Sequence, residues 1–226
     1  MKQNTRVNGR FRSSMSWAGG FSFAETLIGS AVFIVVLLAV LMILDISQRD
    51  YASGAAKSDV QQNVRVVLES MARELRMAGY APSNSPNPDC AVPPCGVTAL
   101  TPSSVTFQAN VDLTQPAVIN KVIYTFVPPT DATKPCDPSD SATVGKITRS
   151  VQAWVGGAWS PSTPTADDVA QCMTDVTMTY YDSLGNTPAT PPNARRINIS
   201  ITGVENARGT SSRSYTVTTD VWLRNF

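Results

Sequence analysis

Glu25 stands at the edge of an uncharged stretch that runs from Thr26 to Leu44. A carboxylate there either faces the positive end of a helix dipole or pairs with a cation, because an ionisable group beside hydrocarbon is costly alone. Just before it, in GGFSFAE (19–25), a glycine pair precedes Phe21. Four cysteines, Cys90, Cys95, Cys136 and Cys172, all follow the uncharged stretch. An even number in that position fits disulfides in an oxidising compartment. Buried free thiols are the plain alternative. A four-cysteine zinc site needs two close pairs, and Cys136 and Cys172 are far apart in sequence.

The chain has no histidine. That removes histidine-based triads, histidine zinc sites and the commonest general base. It also lacks the glycine-rich phosphate loops of ATPases and dinucleotide enzymes. Asp137, Asp140 and the pair Asp167-Asp168 match no calcium-loop spacing and read as solvated loop acids. Trp154, Trp159 and Trp222 read as sheet or core packing rather than an adhesive patch. No catalytic residue, cofactor or metal is expected.

The uncharged stretch must be positioned by something. As a helix it reaches roughly 28 Å, close to the hydrocarbon thickness of a bilayer. Residues 1–20 carry Lys2, Arg6, Arg10 and Arg12 and no acid, while the remainder is net acidic. Basic residues before a membrane stretch keep that side cytoplasmic. The acidic remainder has no patch suited to nucleic acid. A secretory signal has a shorter apolar core with its cut behind it. A plain anchor accounts for length and basic flank, but not for Glu25 or the glycines.

GGFSFAE (19–25) resembles the processing site of type IV pilins and pseudopilins: a basic leader ending in glycine, then phenylalanine, then glutamate as fifth residue of the mature chain. The resemblance implies cleavage between Gly20 and Phe21 by a prepilin peptidase. It also implies methylation of the new Phe21 amine, and a docking role for Glu25 toward neighbouring subunits. Glycine before the cut leaves the backbone accessible. Phe23-Ala24-Glu25-Thr26-Leu27 departs from the usual leucine and isoleucine or valine around this glutamate, and the stretch has no proline. Both departures argue against a major subunit.

Beyond the stretch, Val60, Val64, Leu68, Met71, Leu75 and Ala78 recur at spacings of three and four, one face of a helix. Gly79 is placed to end that helix, with Pro82 after it. Gly29 and Gly54 are candidate soft points. The segment 61–80 is also similar to the stretch after the anchor in PilW-like minor pilins, as are ITRSV (147–151) and VWLRNF (221–226). The domain plan is therefore a leader at 1–20, a transmembrane helix half at 21–44, an amphipathic half at 45–79 and a β-rich domain at 80–226.

Within the last segment, strand patterns cover 105–111, 121–127, 145–155, 175–182, 195–204 and 213–225. Ile197, Ile199 and Ile201 alternate with polar residues, which is period two with one buried face. DSLGN (182–186) and ENARGTSS (205–212) read as turns. Cys90 with Cys95 is the simplest local bridge, leaving Cys136 with Cys172; the two other connectivities stay open. The expected fold class is α+β: a long helix packed on an antiparallel sheet.

The resemblance implies a non-enzymatic minor pilin that helps start a type IV pilus. Its helix would sit in the inner membrane with the N-terminus cytoplasmic and the domain periplasmic, then enter the surface filament. Implied partners are the prepilin peptidase, the major pilin and other minor pilins, the inner-membrane assembly platform and the membrane itself. Alternatives are a J-type pseudopilin of a type II secretion system, an adhesive module on a pilin stalk, and a bitopic envelope enzyme.

Overall fold

A computed structural model describes residues 22–80, 96–112, 114–115, 118–131, 136, 144–187, 190, 193–205 and 213–224. The chain divides into two compact units, Met1–Asp50 and Tyr51–Phe226. One helix, α1 (Phe23–Arg76), supplies residues to both.

In the first unit, α1 begins at a side-chain cap. Ser22 Oγ accepts a hydrogen bond from the Glu25 amide at 3.2 Å, and the Ser22 carbonyl accepts one from Thr26 N at 3.2 Å. Such a cap satisfies an amide that the first turn would otherwise leave unpaired. The helix then runs through the apolar stretch with mean hydropathy 3.1, and none of that stretch is buried in protein. Its few polar groups turn inward on the backbone: Ser30 Oγ donates to the Leu27 carbonyl at 2.9 Å. This is the one helix among the described residues long and apolar enough to cross a membrane. Asp45 and Arg49, an i,i+4 pair at 2.7 Å, mark the return of charge. Gly29 and Gly54 lie inside the continuous helix, with open space where a Cβ would stand.

In the second unit, the end of α1 packs on antiparallel sheets. Val60, Val64, Leu68, Met71, Leu75 and Ala78 are all buried, as their spacing requires. Val67 and Ala72 are buried as well, which widens the stripe. A wider face is needed because the helix meets two sheets, not one. Its last turn tightens, with Ala78 N bonded to the Leu75 carbonyl at 3.1 Å. Gly79 then adopts φ 80°, a left-handed conformation that glycine reaches without strain, and donates to the Gln108 carbonyl at 2.9 Å.

The first sheet orders β1 (Val97–Thr101), β2 (Ser104–Ala109), β3 (Asn120–Val127), β4 (Lys146–Val155) and β5 (Ala158–Ser160), with β6 (Ala166–Gln171) also paired to β4. The second sheet orders β7 (Met173–Tyr181), β8 (Arg196–Val204) and β9 (Ser214–Trp222). Every pairing is antiparallel. The sequence pattern implied six strands in one sheet. The split falls at Cys172, whose φ of 65° turns the chain out of β6 and into β7. Alternation reports which side of a strand is buried, not which strand lies beside it. β6 escaped the sequence reading because four of its six residues in a row are exposed, so it shows no alternation. β1 and β5 are too short to show a period.

The sheets are tied through backbone and phenol. Tyr180 Oη donates to the Thr101 carbonyl at 2.6 Å, and Met178 N to the Pro102 carbonyl at 2.8 Å. Gly145 must be glycine where β4 meets the second sheet, since a Cβ there would collide with the Met173 carbonyl oxygen. DSLGN (182–186) does turn: Asp182 Oδ1 accepts from Leu184 N at 2.8 Å and Asn186 N at 2.9 Å, and Gly185 takes φ 84°. Most of the expected turn at 205–212 lies outside the described residues.

Candidate assembly surfaces

The proposed cut, Gly20 and Phe21, lies outside the described residues. Glu25 lies just after it, exposed in the first turn of α1. Ser22-Phe23-Ala24-Glu25 has the spacing of a capping box, with serine at the cap and glutamate three residues on. The serine half of that motif is formed. A carboxylate there also faces the positive end of the helix dipole. The serine-to-glutamate spacing is the sequence signal for this cap.

Beyond Glu25 the surface of α1 is uncharged as far as Leu44 and predominantly apolar. Leu27, Ile28, Phe33, Val36, Leu41 and Ile43 are all exposed. In water such a helix is unfavourable at about 25 cal/mol per Å² of apolar surface. It requires lipid or other apolar helices around it.

The second unit carries a polar site that the sequence reading missed. Glu74, near the end of α1, accepts two hydrogen bonds from Arg149 on β4: Nη2 to Oε1 at 3.0 Å and Nε to Oε2 at 3.1 Å. Tyr124 Oη on β3 donates to the same Oε2 at 2.9 Å. Burial, and then the charge of Glu74, push the Tyr124 phenol above its usual value. Burial works against the charge of Arg149, but the hydrogen bonds and charge of Glu74 hold its pKa above normal. The arrangement is a bidentate clamp between helix and sheet, not a reactive constellation. Its sequence signal was weak, a lone acid beside the apolar stripe and a lone arginine inside a strand.

Cys136 and Cys172 are joined by a disulfide, with their Cα atoms 4.5 Å apart. It fastens the segment after β3 to the Cys172 turn between the sheets. Cys90 and Cys95 lie outside the described residues, as do Asp137 and Asp140. Asp167 and Asp168 lie on β6, not in a loop, and Asp168 pairs with Lys146 at 3.0 Å. Among the described residues no three histidine, cysteine or acidic side chains converge as a metal site.

The tryptophans divide. Trp154 and Trp159 face each other across the β4–β5 hairpin with ring centroids 5.1 Å apart, and Lys121 Nζ lies 4.4 Å from the Trp159 ring. Trp222 lies outside the core, 60% exposed on β9, where its ring centroid is 5.5 Å from the guanidinium of Arg196, its cross-strand partner on β8. Position, not residue type, separates them: side chains of β9 alternate, and 222 falls on the outer side.

No protein-family model matches this chain, and no curated protein matches it.

Proposed function

We propose that the chain is a minor pilin, similar to PilW-like subunits, that primes assembly of a type IV pilus and has no enzymatic activity. One observation carries the reading. A capped helix presents Glu25 in its first turn, then a fully exposed apolar surface, and its remaining half is the core helix of an α+β domain. A single helix with two such halves suits a subunit that leaves the bilayer by exchanging lipid for neighbouring helices. In this proposal Gly20–Phe21 is cut on the cytoplasmic side of the inner membrane, the Phe21 amine is methylated, and the domain lies in the periplasm. The Glu25 carboxylate then pairs with the terminal amine of an adjacent subunit. In a low-dielectric setting that pairing favours one axial register.

Deletion of the gene tests this. The subunit should be scarce in sheared pili, yet its loss should sharply reduce piliation. Intact pili together with blocked export of folded enzymes would identify a J-type pseudopilin instead.

A further inference from the structure

Strand β9 is the edge of the second sheet. It pairs with β8 over nine consecutive positions, Ser214 to Trp222, without a bulge. The amide of Leu223 reaches the Arg195 carbonyl, and the Arg213 carbonyl takes the amide of Glu205. Odd-numbered residues of β9 therefore bond toward β8. The amides and carbonyls of Thr216, Thr218 and Asp220 point the other way, and they have no backbone partner among the described residues. Proteins usually protect such an edge with proline, lysine, a bulge or a covering element. The span 214–222 has no proline, no lysine and no bulge.

A groove of about 580 Å³ runs beside this edge, between β9 and α1. Its apolar lining is Leu68, Ala72 and Val217, and its charged rim includes Arg65, Arg73 and Glu69. Arg65 and Arg73 are exposed, and Arg65 lies 3.5 Å from Tyr215 Oη on the strand itself. The rim is net positive. A strand laid against β9 would alternate its side chains, one set to the outside and one set into this groove. The inward set would meet an apolar floor and two guanidinium groups, which bind carboxylates by paired hydrogen bonds.

We propose that β9 accepts an extended segment of a partner protein as an added antiparallel or parallel strand, one whose inward-facing positions combine apolar and acidic side chains. Backbone hydrogen bonds to Thr216, Thr218 and Asp220 would supply register, and Arg65 and Arg73 would supply selectivity. The proposal rests on the sheet edge and its groove, and stands whether or not the chain enters a pilus.

The test uses the full chain in detergent micelles and a capped peptide, Thr-Glu-Thr-Val-Thr-Glu-Thr-Val, with a counterpart carrying lysine for glutamate. Residue-resolved hydrogen exchange should show the amides of Thr216, Thr218 and Asp220 slowing at least tenfold with the acidic peptide. Tyr215, Val217 and Thr219 should be protected with and without it. The lysine peptide should bind at least tenfold more weakly, as should the acidic peptide to Arg73→Glu. Thr218→Pro removes an outward amide while sparing the β8 ladder, and should also lose at least tenfold. No slowing at millimolar peptide, or equal binding of both peptides, would overturn the proposal. So would edge protection without peptide that grows with protein concentration, since the occupant would then be a second copy of this chain.

Discussion

Glu74 grips Arg149 through both carboxylate oxygens, at 3.0 and 3.1 Å, and so fixes where α1 crosses the first sheet. Both side chains are largely shielded, which makes a broken pair costlier than a surface ion pair. Glu74→Ala leaves Arg149 and the Tyr124 hydroxyl without their shared acceptor. It should lower unfolding stability by about 2–3 kcal/mol. Urea denaturation of the full chain in micelles measures this, and a loss under about 0.5 kcal/mol would show that the clamp is ornamental.

Gly203 on β8 fixes the crossing of α1 over the second sheet. A Cβ there would stand 2.7 Å from Val60 Cγ1 and 2.9 Å from Val64 Cγ2. Gly203→Ala should therefore cost about 1–3 kcal/mol through overpacking. Val60→Ala removes the closest of those methyls, so the double variant should lose less than the two single losses combined. Simple additivity in that cycle would mean that the two residues do not share the strain.

Tyr124 and Tyr180 are buried phenols whose pKa values are raised, Tyr124 also by the Glu74 carboxylate. The unfolded chain releases these protons near the usual value of 10.0, whereas the folded chain retains them. Their contribution is complete below pH 10 and is lost as pH climbs toward the folded values. Phenolate absorbance should thus show two phenols, Tyr124 and Tyr180, that stay protonated above pH 10 until the fold opens. Replacing both with phenylalanine should flatten the alkaline fall in stability. Six tyrosines titrating together near pH 10 in folded protein would contradict their burial.

Glu25→Ala separates capping from docking. As a first-turn acid the side chain is worth only about 0.3–1 kcal/mol. The variant should insert in the membrane, be processed and fold its domain normally. It should nonetheless fail to restore piliation to a deletion strain or to crosslink with neighbouring pilins. Full complementation would reduce Glu25 to a helix-start residue.

The stripe Val60 to Ala78 was legible because one helix face repeats locally, and Gly79 announced its end. Strands β2, β3, β4, β7, β8 and β9 were legible for the same reason at period two, as in Ile197, Ile199 and Ile201. The division into two sheets was not, because the turn at Cys172, with φ 65°, leaves no periodic trace. Nor was the Glu74–Arg149 clamp, which joins residues 75 positions apart and leaves no periodic trace. The S-x-x-E spacing at Ser22 was legible too, although the same glutamate also falls within the segment that resembles a pilin processing site.

The identity of the mature N-terminus tests the central proposal most directly. Mass spectrometry of the protein extracted from membranes should find a chain beginning at Phe21 and carrying one methyl group on its amine. The charged leader would be gone and the apolar half of α1 retained. An intact Met1, or a cut behind Leu44 that removes the apolar stretch, would contradict the pilin reading.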